Sequence, residues 1–325
     1  MELQKARPIS GPKQRPPFSH RLRNGSAWLL CLSFFFMIPI EFASLEWKQT
    51  TEGLWRIESG ENTGVWFTLS WFLWALITLA GILGFTVGGL ISRFAYERKR
   101  NRGVEGRDIA YYFAWIQLLT LVVTLPYYAL NPEEGNSWID YFPHILMLGI
   151  AVFLFRGRLS DLGLRLPSVK NTLALLASVA ISYVVVYFFL DPLVTEPVAR
   201  FFHLELNSWR EDSISKGIDN ALKAGWVAVF GQMALIGIIG PIAEEVVFRG
   251  LLMNALMKRG WVVLSIVLSS LVFALFHADI TFLAPLFILG MILGTLYAVF
   301  RNLWAPILFH IVNNTASVIL DILHK

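Results

Sequence analysis

Long apolar runs recur from one end of this chain to the other, and they constrain its fold more than any other feature. A helix needs about 20 consecutive apolar residues to cross the hydrocarbon of a bilayer, and runs near that length alternate here with polar segments. Hydrophobic residues make up 56 % of the 325 residues and charged residues only 15 %, which is too little charge for a soluble surface. The ten-residue alternation of a porin-like barrel is absent from the sequence. The sequence therefore predicts an all-α, polytopic integral membrane helical bundle of eight to nine transmembrane helices.

The apolar runs divide the chain into four parts. A basic cytoplasmic tail (1–25) precedes an N-terminal transmembrane block (26–190), a polar connection (191–223) expected at the outer interface, and a second transmembrane block (224–325). The run after the tail is longer than a signal-peptide core, which predicts an uncleaved anchor. Nine apolar segments are expected, at 26–45, 64–91, 108–130, 141–155, 171–190, 224–257, 261–277, 281–300 and 304–320.

Lysine and arginine cluster in alternate loops. Of the 27 bases, 19 fall in the tail, in 92–107, in 156–170, and at Lys258, Arg259 and Arg301. Short loops rich in these residues stay on the cytoplasmic side, so the N-terminus is expected inside and the C-terminus outside. The net charge of +4 then reflects topology, and the expected partner is the lipid bilayer and not a nucleic acid.

Ionisable side chains inside apolar segments concentrate in the second block. Such a group costs several kcal/mol unless it is paired, so its presence points to function. They occur in PIAEEVVFRG, FALFHAD and FHIVNN, as Glu244, Glu245, Arg249, His277 and His310, the last followed by Asn314. The runs of the N-terminal block are expected to contain no well-buried acid or base.

Helical spacing separates the roles of the two acids. Glu245 and Arg249 are four residues apart and share a helix face, so they are predicted to form a structural ion pair. Glu244 is rotated by about 100° from Glu245 and is left to act as a catalytic base. The alternative is that both acids make only surface contacts at a helix end.

His310 and Asn314 are also four residues apart, and they point an imidazole and an amide donor to one place, which is suited to holding an oxyanion. Asn313 competes with Asn314 for that role. A lone histidine such as His277 is more often a satisfied core residue than a catalytic one, but the constellation favours catalysis. Asp279 either orients His277 or caps a turn, and the second interpretation is favoured.

The spacing around Gly260 predicts where these groups lie in the bilayer. If Lys258–Gly260 is the tip of a helical hairpin, Glu244 and His277 both stand about 25 Å above it and can face each other. His310 rises only about 13 Å from Arg301, so the hairpin is expected to project beyond the inner surface. The active site is then expected to open to the cytoplasmic half of the bilayer. Gly240-Pro241 is expected to open the helix before the acids and admit water.

At these residues the sequence resembles the CAAX-protease and bacteriocin-processing (CPBP) family. Its signature EExxxR, FxxxH and HxxxN is matched in order by Glu244-Glu245-Arg249, Phe273-His277 and His310-Asn314. SDLGLRLP (160–167) also resembles a short LGL stretch that precedes the core in many bacterial members. The resemblance implies an intramembrane endopeptidase in which Glu244 and His277 activate water and His310 and Asn314 stabilise the oxyanion.

The resemblance leaves the cofactor open. No cofactor is certain, and a divalent metal such as zinc is possible, bound by Glu244, His277 and His310 as in a His2Glu site. The single cysteine, Cys31, lies in the first apolar run, so neither a disulfide framework nor a Cys-based metal site is expected. The HExxH, GxGD and GxSG signatures of other membrane proteases are absent.

The expected substrate is a membrane-associated peptide or protein, and the expected location is a bacterial plasma membrane. Two other functions remain as alternatives. Buried Glu, His and Arg also form proton relays, which would make the chain a membrane transporter. The chain could also be an inactive membrane scaffold or immunity protein, although intact motifs weigh against this.

Overall fold

The computed structural model describes residues 17–60, 64–92, 103–130 and 142–324. Most of the predicted tail, the stretch 93–102 with five of the bases in the second basic loop, and the connection 131–141 lie outside the described residues. The helices are α1 Phe18–Ser44, α2 Val65–Ile91, α3 Gly106–Leu130, α4 Phe142–Phe155, α5 Val169–Leu190, α6 Glu196–Phe202, α7 Trp209–Ala224, α8 Trp226–Ala234, α9 Gly240–Glu245, α10 Asn254–Met257, α11 Val262–Leu275, α12 Leu283–Phe300 and α13 Trp304–Leu323.

Seven helices of the described part are long and apolar enough to cross a membrane. They confirm a polytopic helical membrane protein, and α4 and α11 are two shorter apolar helices beside them. The count of eight to nine transmembrane helices stays a prediction. The first helix begins at Phe18 and not at residue 26, so it includes the last polar residues of the predicted tail.

The helix that was predicted to end at residue 190 continues into the predicted polar connection. From α5 a π-helical turn, Asp191–Thr195, leads directly into α6, so that 169–202 is one apolar rod. A proline inside a helix removes one backbone hydrogen bond. Pro192 lies in this wider π-helical turn, which accommodates the missing bond. The rest of the predicted polar connection consists of residues 203–208 and α7. The N-terminus of α7 is capped by the Ser208 hydroxyl, which accepts from the amides of Arg210 and Glu211 at 3.2 Å.

A β-hairpin is the one departure from the all-α prediction among the described residues. Strands β1 (Leu45–Gln49) and β2 (Trp55–Ser59) pair antiparallel, with Trp47 opposite Ile57. Leu45 and Ile57 are the buried side chains of the two strands, and Gly53 supplies a positive φ of 81° in the turn. Backbone bonds from Trp55 N to His203 O (2.7 Å) and from Glu205 N to Trp55 O (2.9 Å) join the hairpin to the segment after α6.

Close helix packing brings the second block together. A Cβ built on Gly290 of α12 would lie 2.9 Å from Ser270 Cβ of α11, so the two helices approach as only a small residue allows. A Cβ on Gly294, one turn further along α12, would lie 3.1 Å from Ile266 Cγ2. These contacts hold α11 and α12 closely against each other.

Candidate active site

Two π-helical segments flank the acids. A continuous rod from α8 to α10 contains π-helical turns at Leu235–Ile239 and Val246–Met253, and α9 with Glu244 and Glu245 lies between them. π-Helical turns in α-helices occur frequently at functional sites. In place of the predicted opening at Gly240-Pro241, a π-helical turn ends at Ile239 and the helix continues through Pro241 without a break.

Side chains of α13 satisfy the carbonyl groups near Pro241. Because proline has no N–H, it leaves the carbonyl oxygens four and five residues earlier, on Gly237 and Ile236, without its donor. The hydroxyl of Thr315 donates to Gly237 O at 3.3 Å, and the amide of Asn314 donates to Ile236 O at 3.4 Å. Asn314 thus helps to hold the helix at the acids, a contact that the sequence does not indicate.

The ion pair expected from the EExxxR spacing is present and completely buried. Arg249 NH1 lies 2.6 Å from Glu245 Oε1, and neither side chain is exposed. The other terminal nitrogen of Arg249 donates to Gly290 O at 3.1 Å, and its guanidinium lies 4.7 Å from the ring centroid of Phe273. The first motif is therefore tied to α12 and to the phenylalanine of the second motif.

Glu245 also holds His310 of the third motif. Its Oε1 lies 3.0 Å from His310 Nδ1, in a contact where both side chains are buried. A carboxylate only accepts hydrogen bonds, so Nδ1 carries the proton in this contact. The other ring nitrogen, Nε2, is then directed to Glu244, at 3.8 Å from Oε2.

His277 is fixed in a similar way. It follows the end of α11, and its Nδ1 donates to the Phe273 carbonyl at 2.8 Å, which leaves Nε2 as an acceptor in the neutral ring. The ring packs on Phe273 at a centroid distance of 4.7 Å. Asp279 does not orient His277 through any of these contacts. It accepts from the Phe282 amide at 3.1 Å and from the Ser208 hydroxyl, so it caps a turn as favoured and also clasps the start of α7.

All four proposed catalytic side chains line one cavity of about 1040 Å³, and so does Asn313. The lining follows α13 from His310 to Asp321 and α1 from Phe34 to Glu41, in both cases toward the C-terminal end of the helix. Residues of the first two turns of α7 complete it. The polar connection therefore covers part of the cavity, because the clasp to Asp279 draws the start of α7 over it.

The basic turns, toward which the cavity was expected to open, do not line it. Lys258, Arg259 and Arg301 lie at the opposite ends of these antiparallel helices, and none of them lines the cavity. The expectation rested on the spacing of Glu244 and His277 from the hairpin tip, which gives no information on what lies on their other side. The structure shows α7, Glu41 and Asp321 there.

His144 is a residue of the site that no pattern in the sequence indicates. This residue of α4 also lines the cavity, and its Nε2 lies 3.8 Å from Glu244 Oε1. It belongs to the N-terminal block, and no motif or spacing connects it with the acids 100 positions later.

The donors around Glu244 have the chemistry of a zinc site but not its arrangement. Imidazole nitrogens and a carboxylate are ligands that zinc takes. Among the described residues, however, no three His, Cys, Asp or Glu side chains are grouped so that they could hold a metal ion.

Comparison with known proteins assigns the segment that contains these motifs. Residues 225–316 match the family described as Type II CAAX prenyl endopeptidase Rce1-like. The chain is 34 % identical over 85 residues to the "Putative membrane peptidase YdiL" of Bacillus subtilis (strain 168), covering 26 % of this chain and 35 % of that protein. It is 37 % identical over 95 residues to the "Membrane-embedded CAAX protease MroQ" of Staphylococcus aureus (strain USA300), covering 27 % of this chain and 38 % of that protein.

These matches confirm the resemblance drawn from the three motifs. In residues 225–316 the chain is similar to this family of CAAX-type membrane peptidases. The aligned part spans little more than a third of the length of these two relatives. No solved structure matches the chain.

Proposed function

We propose that this protein is an intramembrane endopeptidase that cuts membrane-associated peptides or proteins with a water molecule activated by Glu244 and His277. The observation that carries the proposal is the fixed orientation of the groups around Glu244. Both motif histidines have Nδ1 tied, one to Glu245 and one to a backbone carbonyl, and Nε2 left over for chemistry. An imidazole held in one tautomer by a second group is how hydrolases orient a base.

The reaction follows from the groups present. Glu244 accepts a proton from water while His277 Nε2 accepts a hydrogen bond from the same water and orients it. The water oxygen attacks the carbonyl carbon and forms a tetrahedral intermediate with negative charge on the former carbonyl oxygen. The C–N bond then breaks as Glu244 returns the proton to the amine nitrogen, so Glu244 ends in its starting state.

Charge on the intermediate needs donors that are in place beforehand. With Nδ1–H directed to Glu245, His310 faces Glu244 through Nε2, and this nitrogen donates to the oxyanion when it carries a proton. Asn314 has a second amide N–H beyond the one given to Ile236, and Asn313 lines the same cavity. The oxyanion is therefore assigned to His310 with one of the two asparagines.

The substrate reaches this site from the end of the bundle that α7 covers. The positive-inside distribution puts the basic turns in the cytoplasm of a bacterial cell, and hence α7 and the cavity opening on the outer side of the plasma membrane. The scissile bond of the substrate then lies in the outer half of the bilayer or just beyond it.

The transport alternative has less support. It predicts a proton relay of ionisable groups that continues from the cavity through the N-terminal block. The expectation that this block holds no buried acid or base is wrong, because Asp108 is buried with Arg158 at 3.5 Å. This pair does not line the cavity, however, and Asp108 accepts from the Glu105 amide at 2.8 Å at the start of α3. Its position at a helix start indicates a structural role.

Mapping of new protein N-termini tests the proposal. Membranes of cells that produce the wild type, Glu244→Gln or the control Glu58→Gln are compared by mass spectrometry. Glu58 is on the exposed hairpin, away from the cavity. We expect termini on membrane-associated proteins with the wild type and the control that are missing with Glu244→Gln. Identical sets of termini in all three would contradict the proposal.

A chelator tests the metal alternative. The purified wild type is incubated with a zinc chelator, dialysed and assayed with and without added zinc. Unchanged activity is expected if water is activated by Glu244 and His277 alone. Loss on chelation with recovery on zinc addition would instead assign Glu244, His277 and His310 to a metal.

A further inference from the structure

We propose that His144 of α4 is a positioning residue for Glu244, so that the N-terminal block completes the active site. The inference rests on the proposed function and deepens it. His144 lies outside residues 225–316, the segment that matches the family, and its partner Glu244 lies inside it.

The two oxygens of Glu244 face two different imidazoles. Oε2 lies 3.8 Å from His310 Nε2, and Oε1 lies 3.8 Å from His144 Nε2. A carboxylate flanked on both sides by ring nitrogens is held against rotation about its last bond. With this rotation restricted, one oxygen of Glu244 stays directed at the water while an imidazole holds the other oxygen in place.

Local structure brings His144 to this place. Proline is tolerated in the first turn of a helix, and Pro143 lies in the first turn of α4, directly before His144. The rest of α4 is anchored by the hydroxyl of Tyr112, which donates to Met147 O at 3.0 Å. A Cβ built on Gly240 would lie 3.8 Å from His144 Cδ2, so the glycine before Pro241 leaves the ring in van der Waals reach of α9.

The surroundings of His144 argue against packing alone. About a third of its side chain (34 %) remains exposed, and that surface is part of the cavity. A histidine retained only to fill space would bury its polar edge or satisfy it with a backbone group. Here the edge is directed at the carboxylate proposed as the base.

The distance defines what the contact is. A nitrogen–oxygen separation of 3.8 Å exceeds the range of about 2.7–3.2 Å for a hydrogen bond, so the contact is electrostatic in this structure. Catalytic hydrogen bonds are often long without substrate and tighten in the complex. A shift of under an ångström of the first turn of α4 closes this one.

Substitution of His144 with kinetic analysis tests the inference. The probe is a quenched fluorescent peptide built on the most abundant Glu244-dependent cleavage sequence found by terminus mapping. For His144→Ala we expect kcat to fall by about 10- to 100-fold with KM within about threefold, since misplacement of a base costs turnover and not binding. Added imidazole should restore part of kcat. His144→Gln, which keeps a polar side chain of similar reach, should lose less.

Controls separate the possible causes. His324→Gln changes an exposed histidine at the end of α13 and should leave kcat unchanged. Melting temperatures of both His144 variants should equal that of the wild type. A kcat for His144→Ala within about threefold of wild type would overturn the inference, and so would a folded variant that imidazole does not restore. Failure of both variants to fold would overturn it too, because it would assign His144 to stability. If the wild type produces no Glu244-dependent termini, the proposed function fails instead.

Discussion

Glu245 Oε1 lies 3.0 Å from His310 Nδ1 and joins the helix of the first motif to that of the third. The same oxygen receives Arg249 NH1 at 2.6 Å, so one buried carboxylate oxygen holds a cation and an imidazole together. Arg249 fixes the position of the Glu245 carboxylate, and this carboxylate accepts a hydrogen bond from His310 Nδ1. Glu245 is thus an orienting residue as well as a partner in an ion pair.

The first prediction concerns the water-activating pair. Glu244→Gln and His277→Ala should each abolish proteolysis while leaving yield and melting temperature near the wild-type values, because neither makes the buried contacts of Glu245 and Arg249. Cleavage of the fluorescent peptide and thermal unfolding in the same detergent measure the two effects. Turnover near the wild-type rate from either variant would overturn the mechanism.

The second prediction concerns the buried ion pair. Glu245→Ala or Arg249→Ala should destabilise the protein by about 3–5 kcal/mol, because each leaves one charge without its partner in a buried site. Activity should fall as well, since the contact to His310 is lost or weakened. Thermal unfolding and peptide cleavage are measured on each variant.

The double variant is the decisive comparison for the ion pair. Removal of both charges leaves no uncompensated ion, so Glu245→Ala with Arg249→Ala should be more stable than either single variant. It should remain inactive, because His310 loses its acceptor. A double variant as unstable as the sum of the singles would show that the two residues do not stabilise each other.

The third prediction separates the two asparagines. Asn314→Ala should lower stability by about 1–3 kcal/mol through the unsatisfied Ile236 carbonyl and lower kcat by about 100- to 1000-fold if its other N–H holds the oxyanion. Thr315→Val is the matched control, since it removes only the bond to Gly237 O and Thr315 does not line the cavity. Equal losses of kcat in these two variants would assign Asn314 to helix support. A larger loss with Asn313→Ala would move the oxyanion role there.

Contacts within one helix were predictable from the sequence, and contacts between helices were not. The four-residue spacing of Glu245 and Arg249 puts them on one face, and the pair is there. The bonds from Glu245 to His310 and from Asn314 to Ile236 depend on how α13 packs against α9, which a single sequence does not specify. The position of His144 beside Glu244 depends on packing in the same way.

The errors in the predicted fold occur where the sequence pattern is short or ambiguous. The apolar runs are long enough to identify the membrane helices, whereas the hairpin has only five residues in each strand and lies next to a helix end. The π-helical turn at 191–195 let α5 run on through prolines that usually end a helix. The contribution of α7 to the cavity lining was not predicted, because α7 was expected along the membrane interface and its clasp through Ser208 and Asp279 joins residues 71 positions apart.

The fourth prediction concerns pH and the hairpin. Arg56 Nε lies 2.5 Å from Glu205 Oε2, and the hydrogen bond and charge of Arg56 hold the pKa of the Glu205 carboxyl below its usual value. A lowered pKa in the folded state stabilises the protein above the unfolded-state pKa of about 4.3, and this stabilisation is lost as pH falls through the folded-state value. The melting temperature of the wild type should therefore exceed that of Glu205→Gln at neutral pH, and the difference between the two melting temperatures should vanish well below pH 4. A difference that persists in acid would contradict the assignment.

The last prediction concerns the side of the membrane on which the site opens. The basic turns at Lys258–Arg259 and Arg301 are expected in the cytoplasm, and the cavity lies at the other end of the bundle, beneath α7. In a Cys31→Ser background, a cysteine replaces exposed Lys216 of α7 or exposed Arg259 of the hairpin tip. A membrane-impermeant thiol reagent should label Lys216→Cys in intact cells and Arg259→Cys only after the cells are opened. The cleavage products of the wild type should then carry their new termini on the outer side. Labelling of Arg259→Cys from outside would invert the topology, and the same cavity would then receive its substrates from the cytoplasm.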